Sequence, residues 1–184
     1  MDIYMKIPSK SAPRMIDHTE LMKAVLHDRD TVEAVLRILL ENEDLTVKNV
    51  KSNVGKVDVL AEDRKGQLYV ISLQQLNRST PPPQEESHIT NCAIPADRDG
   101  PIAMYDIVFM DHDYYKKGLP VYSVSWQIRE TQKAAEFMPN RIYVNGDFDD
   151  ISSPIGKLIH DLCCDRPEQM YYGILARRIK QILP

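Results

Sequence analysis

Residues 56–75, KVDVLAEDRKGQLYVISLQQ, constrain the fold more than any other part of the chain. Two apolar runs flank the polar stretch EDRKGQ: Val57, Val59 and Leu60 lie in the first, and Leu68, Tyr69, Val70, Ile71 and Leu73 in the second. Gly66 can take a positive φ without steric cost, so the pattern predicts a β-hairpin with a short loop. Polar residues interrupt the runs at Asp58, Ser72 and Gln74. Side chains alternate across a strand, so Ser72 and Gln74 share a face, and a carboxylate on the neighbouring strand can join them there.

The segments around the hairpin alternate in period. Residues 1–18, broken by Pro8 and Pro13, read as a loosely packed arm, and residues 19–184 as one domain. Asp17 or Thr19 can cap a short helix through Val25. Asp28 or Asp30 can cap a second, in which Val32, Val35, Leu36, Leu39 and Leu40 recur at helical spacing until Asn42 and Asp44. LTVKNVKSNV, 45–54, reads as a strand in which Val50 breaks strict alternation. The three prolines in 77–87 exclude a helix and favour an extended loop. Strands are expected over 104–110, 119–128 and 141–146, the last closed by an Asn-Gly turn. Two helices end the chain. Ser152 or Ser153 caps the first, which carries Ile155, Leu158, Ile159 and Leu162. Pro167 opens the second, with a stripe of Tyr171, Ile174, Leu175, Ile179 and Ile182.

Composition narrows the class. The 184 residues, 43% hydrophobic and 27% charged, suit one soluble globular domain. No apolar run reaches transmembrane length, so no membrane partner is expected. The N-terminus lacks a secretory signal, and Cys92, Cys163 and Cys164 form neither a CxxC metal spacing nor a disulfide framework, which points to the cytoplasm. The net charge of −4 argues against broad, nonspecific nucleic-acid affinity. It is compatible with a local basic patch, or with docking on a basic protein surface that otherwise holds nucleic acid. Asp111, His112 and Asp113 read as a surface turn, His160 as a packed residue late in a helix, and the adjacent cysteines as small buried hydrophobes.

The hairpin resembles the core of the PD-(D/E)XK nucleases, and more closely the PD-(D/E)XK family transposases, also called recombination-promoting nucleases. Asp58 matches the family's Asp, and Gln74 the last residue of its Glu-x-Gln; Ser72 stands where the family has Glu. DHDYYKKGLPVYSV, 111–124, resembles the family's segment with Gly-x-Pro and an aromatic strand. RIYVNG, SPIGKLIHDLCC and MYYGILARRIK resemble its C-terminal part, in the same order. Residues 77–87 depart from the basic segment the family has there, and 87–94 read as a remnant of its helix.

The resemblance implies an α/β fold with a restriction-endonuclease-like core: a central mixed sheet with helices on both sides. Asp58 and Gln74 should lie on adjacent strands with one face in common, and helix 30–41 should pack beside them. It also implies a Mg²⁺ site in which Asp58 is a ligand, Gln74 orients water, and Glu20 or Glu33 from the first helices adds a carboxylate. Lys51 and Lys56 should face DNA. Because Ser72 supplies no charge, Mg²⁺ would bind weakly at best. Two functions follow. One is a catalytically inactive descendant that binds DNA or a nucleic-acid-binding protein, such as a host defence nuclease blocked in the manner of an anti-CRISPR. The other is an active Mg²⁺-dependent DNA endonuclease of transposition or recombination. The apolar C-terminal helices, with Tyr171 and Tyr172, also suggest a homodimer.

Overall fold

The computed structural model describes residues 25–53, 56–76, 102–135 and 138–182. The hairpin forms as its pattern requires, from β2 (Lys56–Glu62) and β3 (Leu68–Leu76), antiparallel and with Asp58 opposite Ser72. Gly66 has φ +77°, and Asp63 closes the loop by accepting from the N–H groups of Lys65 and Gln67. β1 (Thr46–Asn53) pairs antiparallel with β2, and the register shifts between Val47 and Asn49. That bulge is the physical form of the broken alternation at Val50.

Three more strands complete a six-stranded mixed sheet in the order β1-β2-β3-β4-β6-β5. β4 (Ile102–Met110) runs parallel to β3, and β6 (Asn140–Asn145) parallel to β4. β5 (Val121–Val124) runs antiparallel to β6. It is shorter than the strand expected over 119–128. After Val124 the chain turns into a small hairpin bridged at Gln127 and Ala134, and the Trp126 indole donates to the Pro139 carbonyl.

Helix α1 (Arg29–Leu39) is capped by Asp28, which accepts from the Thr31 amide and hydroxyl. Helix α2 (Pro154–Leu162) is capped by Ser153 with Pro154 in its first turn. Helix α3 (Gly173–Ile182) begins later than expected: Pro167 opens a separate 3₁₀ turn, Pro167–Gln169. α1, α2 and α3 all send apolar side chains into one core against one face of the sheet, where Val57, Val59, Ile71, Leu73, Ile107, Phe109, Ile142 and Val144 meet Val35, Leu36, Leu158 and Leu175. Among the described residues, then, the helices share a single face. The C-terminal stripes expected to form an interface are largely used inside the chain, since Leu158, Ile159, Leu162, Leu175 and Ile179 are buried, whereas Tyr171 is 47% exposed.

The helix expected over 19–25 is described only at its end, where Val25 and Leu26 are buried. The expected arm, the proline loop, Cys92 and the helix remnant at 87–94 lie outside the described residues.

Candidate functional site

Alternation turns the remaining side chains of the central strands to the second face. Cross-strand register aligns one residue from each strand there: Lys51 on β1, Asp58 on β2, Ser72 on β3, Asp106 on β4, Arg141 on β6 and Val124 on β5. Strands are spaced about 4.8 Å apart, so each residue in this row neighbours the next. Asp58, Ser72, Asp106 and Arg141 are all buried, whereas Lys51 is exposed. Gln74 lies one step along β3 on the same face and is also buried. Asp58, Ser72 and Gln74 are thus brought together as the hairpin pattern requires.

Helix α1 is not beside them. Val57 and Val59, on the opposite face from Asp58, share the core that its Val32 and Val35 enter. The expectation that this helix lines the motif is therefore corrected. Glu33 is drawn elsewhere: one oxygen accepts from the Val47 amide at 3.0 Å, and the other pairs with Arg37 at 2.6 Å. Glu20 lies outside the described residues, as does the side chain of Lys56, whose backbone pairs with Gln74.

Asp106 and Arg141 are the chemistry that the sequence reading missed. The Gln74 amide donates to Asp106 Oδ1 at 3.0 Å, and Arg141 Nε donates to Asp106 Oδ2 at 2.9 Å. Arg141 Nη1 lies 3.4 Å from the Tyr143 hydroxyl, a long contact. Burial alone would lower the Arg141 pKa. The Tyr143 hydroxyl and the Asp106 charge outweigh it, and the guanidinium is held above its ordinary value. The available signal was an acid inside the apolar run MYDIVFM and a base opening RIYVNG. Buried charges are rarely left unpaired, so each pointed to a partner.

The network decides what this face can do. Gln74, the residue matched to water orientation, has its amide nitrogen committed to Asp106. Each Asp106 oxygen already accepts a hydrogen bond. Ser72 is 1% exposed, and among the described residues its hydroxyl has no hydrogen-bond partner. A Mg²⁺ ion needs hard anionic oxygens. Among the described residues this donor set comprises Asp58, a neutral hydroxyl and a carboxylate occupied by a guanidinium, which by themselves fit Mg²⁺ poorly.

The remaining singled-out residues have local roles. Asp111 pairs with His112 at 2.7 Å. Asp113 accepts from the amides of Lys116 and Gly118 and from the Tyr122 hydroxyl, as the turn reading expects. Asp161 is buried and accepts from the amides of Tyr171 and Tyr172, at 2.9 and 2.7 Å, just before α3; His160 stacks edge-on against Tyr171. Burial, with nearby Asp147, pushes the Cys163 thiol up to about 12, which makes it a poor nucleophile at neutral pH. No helix among the described residues is long and apolar enough to cross a membrane. With this geometry in hand, comparison of the chain with protein-family models, curated proteins and solved structures finds no match.

Proposed function

We propose that this chain is a nuclease-like domain of the PD-(D/E)XK transposase type that has lost cleavage and works by binding, on DNA or on a nucleic-acid-binding protein such as a host defence nuclease. The observation that carries the reading is the row on the second face of the sheet. Asp58 and Gln74 occupy adjacent antiparallel strands on one face, as a restriction-endonuclease-like core expects. The position between Asp58 and Asp106 that should hold the second acid is Ser72, and Gln74 bonds Asp106.

The loss is electrostatic. Mg²⁺-assisted hydrolysis needs anionic ligands to fix the ion and a free group to orient water. Here Arg141 supplies the positive charge beside the carboxylate, permanently and without an open coordination position. The alternative, an active endonuclease, requires Asp58 to hold the ion almost alone with substrate phosphate. The test is plasmid cleavage by the whole protein with Mg²⁺ or Mn²⁺. The expected result is no nicking above that of an Asp58→Ala variant; metal-dependent nicking that Asp58→Ala abolishes refutes the silent-site reading.

A further inference from the structure

The loop between β4 and β5 carries a surface that the motif row does not explain. Tyr114 is 44% exposed, Tyr115 38% and Leu119 52%, and Lys116 and Lys117 between them are exposed. Exposed tyrosines beside exposed ammonium groups need a reason, because the rings forgo burial. Tyr115 packs over Tyr122 and Tyr143, with ring centroids at 4.8 and 5.5 Å. Tyr143 pairs in register with Val108, and Val108 with Gln74. The loop therefore stands on the second face of the sheet, two strands from Gln74, or about 10 Å.

The loop is also built rigidly. Asp113 accepts from the Lys116 and Gly118 amides at 2.8 and 2.7 Å and from the Tyr122 hydroxyl at 2.7 Å. The Tyr122 oxygen in turn accepts from the Lys117 and Leu119 amides, both at 3.2 Å. Four consecutive N–H groups are thus consumed internally. They are not available to cradle an anion or to add a strand. What the loop leaves for a ligand is the exposed part of the Tyr114 ring, which meets the Tyr115 ring edge-on at 5.1 Å, and the Lys116 and Lys117 side chains, all carried on a backbone already held in place, so little backbone ordering remains to be done on binding.

We propose that this loop contacts single-stranded nucleic acid, with one base stacked on Tyr114 and neighbouring phosphates on Lys116 and Lys117. The proposal rests on the binding reading above and names its ligand. An aromatic face beside cations is the common device for gripping a single strand without sequence preference. A duplex does not suit it, because paired bases are stacked on one another and closed to the ring. Three carboxylates lie nearby, with Asp113 accepting within the loop, Asp111 against His112 and Asp147 accepting from the Asp113 amide, so cationic contact is confined to the exposed Lys116 and Lys117 side chains. Asp113 and Asp147 line the open depression beside the loop with His112, Lys116 and Gly118, and they keep phosphates to the outer, lysine side.

The experiment is fluorescence anisotropy of the full chain with a labelled oligothymidine, titrated at several salt concentrations. Two phosphate contacts predict a slope of log K against log [salt] of about −1.4. Lys116→Gln/Lys117→Gln should bring the slope close to zero, and Tyr114→Ala should weaken binding roughly 5- to 150-fold. Arg177→Gln/Lys180→Gln, the same charge change at exposed positions of α3 on the other face of the sheet, should leave binding unaltered. Circular dichroism and melting curves like the parent's confirm that each variant is folded. Binding that survives the loop changes but falls with Lys51→Gln/Lys56→Gln overturns the loop proposal and leaves the binding reading intact. No binding at low salt, or tighter binding of duplex than of single strand, also overturns it. So does a protein partner lost in Tyr114→Ala when the oligonucleotide does not bind. Metal-dependent plasmid cleavage would instead refute the silent-site reading without touching the loop.

Discussion

Ser72→Glu places a carboxylate between two acidic neighbours. Asp58 and Asp106 are its partners on either side in the sheet, and the Ser72 position is 1% exposed. Without metal, burial and like charge both raise the pKa of the new acid. An uncompensated buried charge costs about 3–5 kcal/mol. For a domain of this size each kcal/mol moves the Tm by about 2–4 °C, so the variant should melt roughly 6–20 °C below the parent. Divalent metal changes the balance, because Glu and Asp58 become ligands and their repulsion is offset. Saturating metal at about a hundred times Kd adds about 2.7 kcal/mol, which should return roughly 5–11 °C. Ser72→Gln, equal in size and uncharged, separates the charge effect from overpacking. The assay is differential scanning fluorimetry of parent, Ser72→Gln and Ser72→Glu, with and without excess Mg²⁺ or Mn²⁺. A parent that gains as much from metal as Ser72→Glu shows that Ser72 is not the lesion, and the active-nuclease alternative then stands.

Three further outcomes are expected. Arg141→Met leaves the Asp106 carboxylate buried without its ion pair and should cost about 3–5 kcal/mol in urea denaturation, whereas Asp106→Leu/Arg141→Met should recover most of that loss; a double variant no more stable than the single would refute the pairing. Asp161→Ala strands the Tyr171 and Tyr172 amides and should cost about 2–4 kcal/mol, with hydrogen exchange fastest at the start of α3. For Asp113, burial alone would raise the pKa, but the Tyr122 hydroxyl and the Gly118 and Lys116 amides outweigh it and hold the pKa below the ordinary carboxylate value. The stabilisation of its loop is therefore present above the unfolded-state pKa and is lost as pH falls through the folded one. Tyr122 and Tyr115 resonances should shift in that acid window, and Asp113→Asn should flatten the change.

The local parts of this structure were legible because they are written in neighbouring residues. Gly66 announces the hairpin turn, Asp28 or Asp30 and Ser152 or Ser153 announce helix starts, and the break at Val50 marks the bulge. The shared face of Asp58, Ser72 and Gln74 follows from a period of two and a turn of fixed length. The Asp106–Arg141 pair was not legible in the same way, since its members are 35 residues apart and meet only because β4 and β6 run parallel side by side. Nor does a helical stripe say which face of a sheet it will cover, and the resemblance that offered Glu20 or Glu33 as a further carboxylate does not show that Glu33 accepts from the Val47 amide and pairs with Arg37. Proline at 167 read as a helix start because a 3₁₀ turn uses the same residue for the same reason: a fixed φ and no N–H to satisfy.

The mixed direction of the sheet also bears on the order in which the motif row is assembled. β1, β2 and β3 are joined by short connections, so Asp58 and Ser72 can meet in a local meander within microseconds. The β3–β4 and β4–β6 pairings are parallel and must wait for long chain segments to close, which is the slow class of event in folding. Asp106 and Arg141 belong to that later seam. An interaction formed in the rate-limiting step acts on the folding rate. In a chevron plot, Arg141→Met should therefore lower the refolding limb and leave the unfolding limb nearly where it was, making the buried pair part of the seam whose closure limits folding.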